Sequence, residues 1–127
     1  MKQKLKITGS EDLPEVILDK EKNKFKISGH SLPEDPYEFY SPLISWMDEY
    51  VKKPNPVTHF QIYLDYFNSS SVKQLFFLLS KLEIIIKNGK EAKITWHYQS
   101  GDDLMKSKGM GFKKLLHVPL DLKEHRK

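Results

Sequence analysis

Tyr63-Leu64-Asp65-Tyr66-Phe67-Asn68-Ser69-Ser70-Ser71-Val72-Lys73 decides the fold, because a strand pattern ends inside it and a helical pattern begins. Upstream, Phe60, Ile62 and Leu64 alternate with Gln61, Tyr63 and Asp65, the period of a strand with one dry face. Downstream, Val72, Leu75, Phe76, Leu79, Leu82 and Ile86 recur on one stripe of a helix that starts at Ser70 or Ser71 and stops at Asn88-Gly89. Small polar residues fill the junction. Ser and Asn satisfy the free N–H groups of a helix's first turn, and the positive end of the helix dipole also stabilises an anion there. The site therefore reads as a cap, an anion pocket or a phosphoacceptor. One N-cap needs one side-chain oxygen and Asn68, Ser69, Ser70 and Ser71 offer four, so at least two are free for another task.

Working outward, Leu13–Asp19 and Lys24–Gly29 form a hairpin across the polar Lys20-Glu21-Lys22-Asn23. Two prolines keep Leu32–Pro36 irregular, an aromatic turn Tyr37–Tyr40 follows, and Ser41-Pro42 reads as N-cap plus N1 of a helix to about Lys52. Its buried stripe is Leu43, Ile44, Met47, Tyr50 and Val51, with Trp46 at the margin. Phe77, Leu78, Ile84 and Ile85 give the second helix more apolar surface than one face needs, so it is either sandwiched or presents a docking surface. Lys93–Tyr98 is a further strand, and Asp102 or Asp103 caps a short helical turn through Lys106. Gly109 and Gly111 argue against a long third helix, Leu115–Leu120 reads as a closing strand, and the tail 123–127 should fray. The expectation is a single α/β domain over residues 1–127, layered, with a mixed β-sheet.

Composition narrows the function classes. The 127 residues carry a net charge of +4 and no cysteine, which removes disulfides, thiolate nucleophiles and Cys-type zinc sites and fits a reducing compartment, the cytoplasm. No apolar segment follows the basic N-terminus, and none is long enough for a membrane span. Lysines alternate at 2, 4 and 6 and at 20, 22, 24 and 26, which suits charge protection of exposed strands or, alternatively, a small nucleic-acid- or anion-binding face. Enzyme signatures are missing: there is no phosphate-binding loop, no G-x-S-x-G, and no metal-ligand spacing among the histidines at 30, 59, 97, 117 and 125. Neither cofactor nor catalysis is indicated.

Four segments then fall into one order. Pro14-Glu15-Val16, Gly29-His30-Ser31-Leu32-Pro33-Glu34-Asp35-Pro36, Phe39-Tyr40-Ser41-Pro42 with Trp46, and Asn68-Ser69-Ser70-Ser71 resemble the P-E-V, G-x-S-x-P-E-x-P, F-Y-x-P-x-x-x-W and Asn-Thr-Ser-Ser motifs of the SiaC family of bacterial regulatory phosphoproteins. The resemblance continues through Trp96-His97-Tyr98 to Pro119-Leu120. It implies an anti-anti-sigma-like, STAS-like fold without enzymatic activity, switched by a dedicated kinase and a PP2C-type phosphatase. The dephosphorylated form then engages an output protein, in the family a diguanylate cyclase. Carried over by position, the acceptor is Ser69, where the family usually has Thr, with Ser70 as rival and Asn68, Ser71 and Lys73 around it. The family's acidic run after the W-x-Y strand is reduced here to Gly101-Asp102-Asp103.

Overall fold

A computed structural model describes residues 3–126. Alternating apolar residues build six strands: β1 (Lys4–Ile7), β2 (Glu15–Asp19), β3 (Lys24–Ser31), β4 (Val57–Phe67), β5 (Glu91–Gln99) and β6 (Leu120–His125). They hydrogen-bond in chain order in one sheet. The hairpin β2–β3 and the β1–β2 pair are antiparallel, whereas β3, β4, β5 and β6 run parallel, so the sheet is mixed. Helices α1 (Pro36–Tyr50), α2 (Ser69–Ser80) with α3 (Leu82–Lys87), and α4 (Asp103–Leu115) make the three parallel crossovers. Each crossover steps the same way across the sheet, and right-handed connections therefore place all the helices on one face.

The core lies between those layers. Phe25, Ile27, Phe60, Ile62, Ile94 and Trp96 from the strands meet Leu43, Met47, Tyr50, Leu75, Leu79 and Phe112 from the helices, all buried. The intervening strand residues, among them Lys26, His59, Gln61, Tyr63 and Thr95, form the other sheet face, which no helix covers.

Several boundaries differ from the sequence expectation. Helix α1 begins at Pro36, with the Asp35 carboxylate accepting the Glu38 N–H at 3.1 Å, so Tyr37–Tyr40 is its first turn and Pro42 lies inside it. Pro42 has no N–H to donate to the Glu38 carbonyl, one turn earlier in the helix. Trp46 is buried and stacks on Tyr50, ring centroids 5.3 Å apart. The second helix starts at Ser69 and breaks at Lys81 into α2 and α3.

The glycines do not interrupt α4. A Cβ at Gly109 would sit 2.5 Å from Trp96 Cδ1, so glycine is what lets the helix lie against the indole, whose Nε1 donates to Met105 O at 3.0 Å. The closing strand begins only at Leu120, and the segment expected to fray is paired with β5 as far as His125. Lys4 and Lys6 form an edge strand that the sequence reading did not place. Lys2 and Lys127, members of the first lysine row and the tail, lie outside the described residues.

Candidate functional site: the strand-to-helix junction

Strand β4 ends at Phe67, and Asn68, with φ −76° and ψ 163°, turns the chain into α2 as its N-cap. The Asn68 Oδ1 accepts both the Ser71 N–H at 3.1 Å and the Ser71 hydroxyl at 2.6 Å. The Asn68 N–H in turn donates to Ser31 O, 3.2 Å away at the end of β3. The cap is thus bolted to the neighbouring strand.

Below it lies a buried chain of hydroxyls. Ser31 Oγ is 3.3 Å from Ser71 Oγ and 2.7 Å from Tyr40 Oη on α1. Burial pushes the Tyr40 phenol up to about 12, with the Ser31 bond opposing, so the group stays neutral and hydrogen-bonding. The four sequence-predicted polar residues therefore divide. Asn68 and Ser71 are spent on the cap, and Ser71 is fully buried. Ser69 and Ser70 are exposed, and neither hydroxyl has a side-chain partner or a hydrogen-bonded base among the described residues.

Ser69 shares one helical face with Val72, Lys73 and Phe76, at the i, i+3, i+4, i+7 spacing. That face opens onto a groove of about 330 Å³ between α2 and α4, floored by Phe67, Val72, Phe76, Phe112 and Leu115. The Phe76 and Phe112 rings span it, centroids 6.3 Å apart. Two lysines rim it. Lys73 lies over Phe77, and Lys108 donates to Phe67 O at 3.0 Å while covering the Phe67 ring at 4.2 Å. The excess apolar surface of the second helix is thereby resolved: Leu75, Leu78 and Leu79 are sandwiched, while Val72 and Phe76 reach the groove and Phe77 is exposed.

Ser31, Tyr40 and Lys108 were not identified in the sequence as site residues. Their contacts bridge β3, α1 and α4; Ser31 and Tyr40 fell in quoted motifs without a site role, and Lys108 fell in none. The histidines also surprise. His59, His97 and His125 meet on the open sheet face: His97 Nε2 is 2.6 Å from Gln61 Oε1, its Nδ1 2.7 Å from His125 Nε2, and Tyr63 stacks on it at 3.8 Å. Burial holds His97 down at about 4, helped by the neighbouring His125, Lys123 and His59. Among the described residues no group of three or more side chains is placed to hold a metal ion.

Acidic groups interrupt the lysine rows, Asp19 standing between Lys4 and Lys24 in the strand register. Lys4 and Lys6 guard the edge strand β1, Lys20 and Lys22 sit in the β2–β3 turn region, and Lys26 on interior β3 is paired with Glu15 at 3.5 Å. The nucleic-acid alternative is not favoured. Among the described residues no helix is long and apolar enough to cross a membrane.

A sequence profile of the SiaC family regulatory phosphoproteins matches residues 7–125. An uncharacterized protein of Pseudomonas aeruginosa (strain UCBPP-PA14) is 24% identical over 121 residues, spanning 95% of this chain and 96% of its own. The structure of SiaC of Pseudomonas aeruginosa superposes with a TM-score of 0.85 at 24% identity, covering 96% of this chain and 98% of that one. A chain in the crystal structure of diguanylate cyclase SiaD in complex with its activator SiaC, from the same organism, superposes with a TM-score of 0.88 at 24% identity, covering 95% and 99%. At these identities the structural likeness establishes the fold.

Proposed function

This chain belongs to the SiaC family of regulatory phosphoproteins, and from that premise we propose that it is a non-enzymatic bacterial signalling adaptor switched by reversible phosphorylation of Ser69. The observation that carries the reading is the division of labour at the junction. Asn68 and Ser71 hold the fold, while Ser69 is exposed in the first turn of α2 and its hydroxyl has no side-chain partner among the described residues. The Ser69 and Ser70 N–H groups of that turn have no intrahelical acceptor, and with the helix dipole they receive an anion without unfolding the domain. Phosphate adds roughly −1.5 to −2 charges there. The fold persists and the surface changes.

The adaptor acts in the cytoplasm as one regulatory domain over residues 1–127. A cognate kinase adds the phosphate, a PP2C-type phosphatase removes it, and the dephosphorylated form binds an output protein. A diguanylate cyclase is the proposed output, because the structurally similar SiaC is the activator of the cyclase SiaD. If the output protein buries the Ser69 rim, a phosphate in that interface costs several kcal/mol of desolvation, on the order of a few tenfold steps in affinity.

Incubation with the cognate kinase tests the assignment. Ser69→Ala should lose the label and Ser70→Ala should keep it. Label retained by Ser69→Ala moves the acceptor to Ser70 and refutes the reading.

A further inference from the structure

The groove between α2 and α4 has a one-sided electrostatic character. Lys73 is the only charged residue of α2, and α4 beyond Asp103 carries Lys106, Lys108, Lys113 and Lys114 without a carboxylate. Elsewhere, Lys81 pairs with Asp48 at 2.9 Å and Lys26 with Glu15 at 3.5 Å. Lys73 and Lys108 have no carboxylate within 4.0 Å among the described residues. Between them lies an apolar floor that the described residues do not cover, with Leu115 at 65% exposure on its border.

A second copy docking by the same face would set lysine against lysine. Charge complementarity instead selects an acidic partner, with an apolar side chain to fill the floor. The acceptor serine stands on the same helical stripe, four residues before Lys73. An anion N-terminal to a lysine at i, i+4 is the favourable orientation for a pair along a helix.

We propose that the α2–α4 groove docks an acidic protein segment carrying one bulky apolar anchor, and that phosphoserine at position 69 opposes docking by pairing in cis with Lys73. The phosphate takes over one of the two rim cations and leaves net negative charge at the groove's end. The second half of this proposal rests on Ser69 being the acceptor; the first half does not.

The test begins with the full unphosphorylated chain and a random peptide library displayed on phage. Enriched sequences should place Leu, Phe or Met beside Asp or Glu, and a synthetic peptide made from them should bind at least about tenfold more weakly to Lys108→Glu. Gly111→Leu is the decisive control. Gly111 lines the groove, and nothing lies within 4 Å of where its Cβ would stand. That variant should abolish peptide binding while raising the melting temperature, which damage to the fold would lower. Failure to enrich any sequence, enrichment of basic sequences, or binding indifferent to both variants overturns the groove assignment.

The phosphate arm uses protein with phosphoserine incorporated genetically at 69, so it needs no kinase. The same peptide should bind at least about tenfold more weakly. In ³¹P NMR the phosphate should titrate at lower pH than in the same protein carrying Lys73→Gln. Equal peptide affinity or an unchanged titration overturns the cis pairing. Kinase label persisting in Ser69→Ala would refute the acceptor assignment and leave the groove result standing.

Discussion

Replacing the junction serines one at a time should separate stability from signalling. Ser71 is fully buried, with its hydroxyl donating to Asn68 Oδ1 at 2.6 Å and lying 3.3 Å from Ser31 Oγ. Ser71→Ala deletes these bonds without orphaning a neighbour, because Asn68 Oδ1 keeps the Ser71 N–H and Ser31 Oγ keeps Tyr40. The cost is therefore that of a net buried hydrogen bond, about 1 kcal/mol. Asn68→Ala removes the cap itself and leaves the buried Ser71 hydroxyl only its longer contacts, to Ser31 Oγ at 3.3 Å and Ser31 O at 3.4 Å, for a loss of about 2 kcal/mol. Ser69→Ala, on the exposed surface, should change stability by no more than about 0.5 kcal/mol. Urea denaturation followed by the fluorescence of the buried Trp46 and Trp96 measures all three. Kinase labelling should rank them oppositely, with only Ser69→Ala losing the phosphate. An unchanged midpoint in Ser71→Ala, or a loss above about 1 kcal/mol in Ser69→Ala, would refute the assignment of structural and signalling roles.

Two glycines on one helix should respond with opposite signs. Gly111→Ala gains about 1 kcal/mol of helix propensity in open space, whereas Gly109→Ala meets Trp96 at 2.5 Å and should lose about 1–3 kcal/mol, as read by thermal melts. The histidine cluster should make the fold acid-sensitive. His97 is held at about 4 against an ordinary 6.5, so the unfolded chain takes up a proton there first and stability falls as pH drops from 6.5 towards 4. The contribution is at most about 3 kcal/mol. Denaturation midpoints across that range should drop less steeply for His97→Gln than for the native chain, and parallel slopes would contradict the cause given.

The elements that were legible in the sequence are those whose signals are local. Phe60, Ile62 and Leu64 alternate within β4 and small polar residues follow, so a strand, a junction and a helix were legible from adjacent residues, while the cap at Asn68 and the start at Ser69 came from the structure. Helix α1 was expected to start at Ser41-Pro42, but Asp35 caps it earlier, at Pro36. The upstream start prevails because it buries Tyr40 completely against Ser31.

The continuation of helix α4 beyond Lys106 was missed for a different reason. An interior glycine reads as a breaker unless the bulk it accommodates is known, and Trp96 is on another strand. Strand β6 followed suit, since its polar LDLKEH has a weak pattern and gains its place by parallel pairing with β5. The histidine cluster is likewise a product of register: Gln61 stands opposite Thr95 and Gln99 opposite His125, a relation between strands that spacing along the chain does not contain. At the site, Ser69 was nominated as the proposed acceptor from sequence. Lys108, which closes the groove beside it, came within reach only through the continuous α4.

The central claim is that Ser69 is where this chain carries its signal, and tandem mass spectrometry of the protein isolated from the cells that make it, with phosphatase activity blocked during isolation, tests it most directly. The account predicts phosphate on Ser69, with Ser70 and Ser71 unmodified. Phosphate confined to Ser70 or Ser71, or a chain that is never phosphorylated, would contradict it.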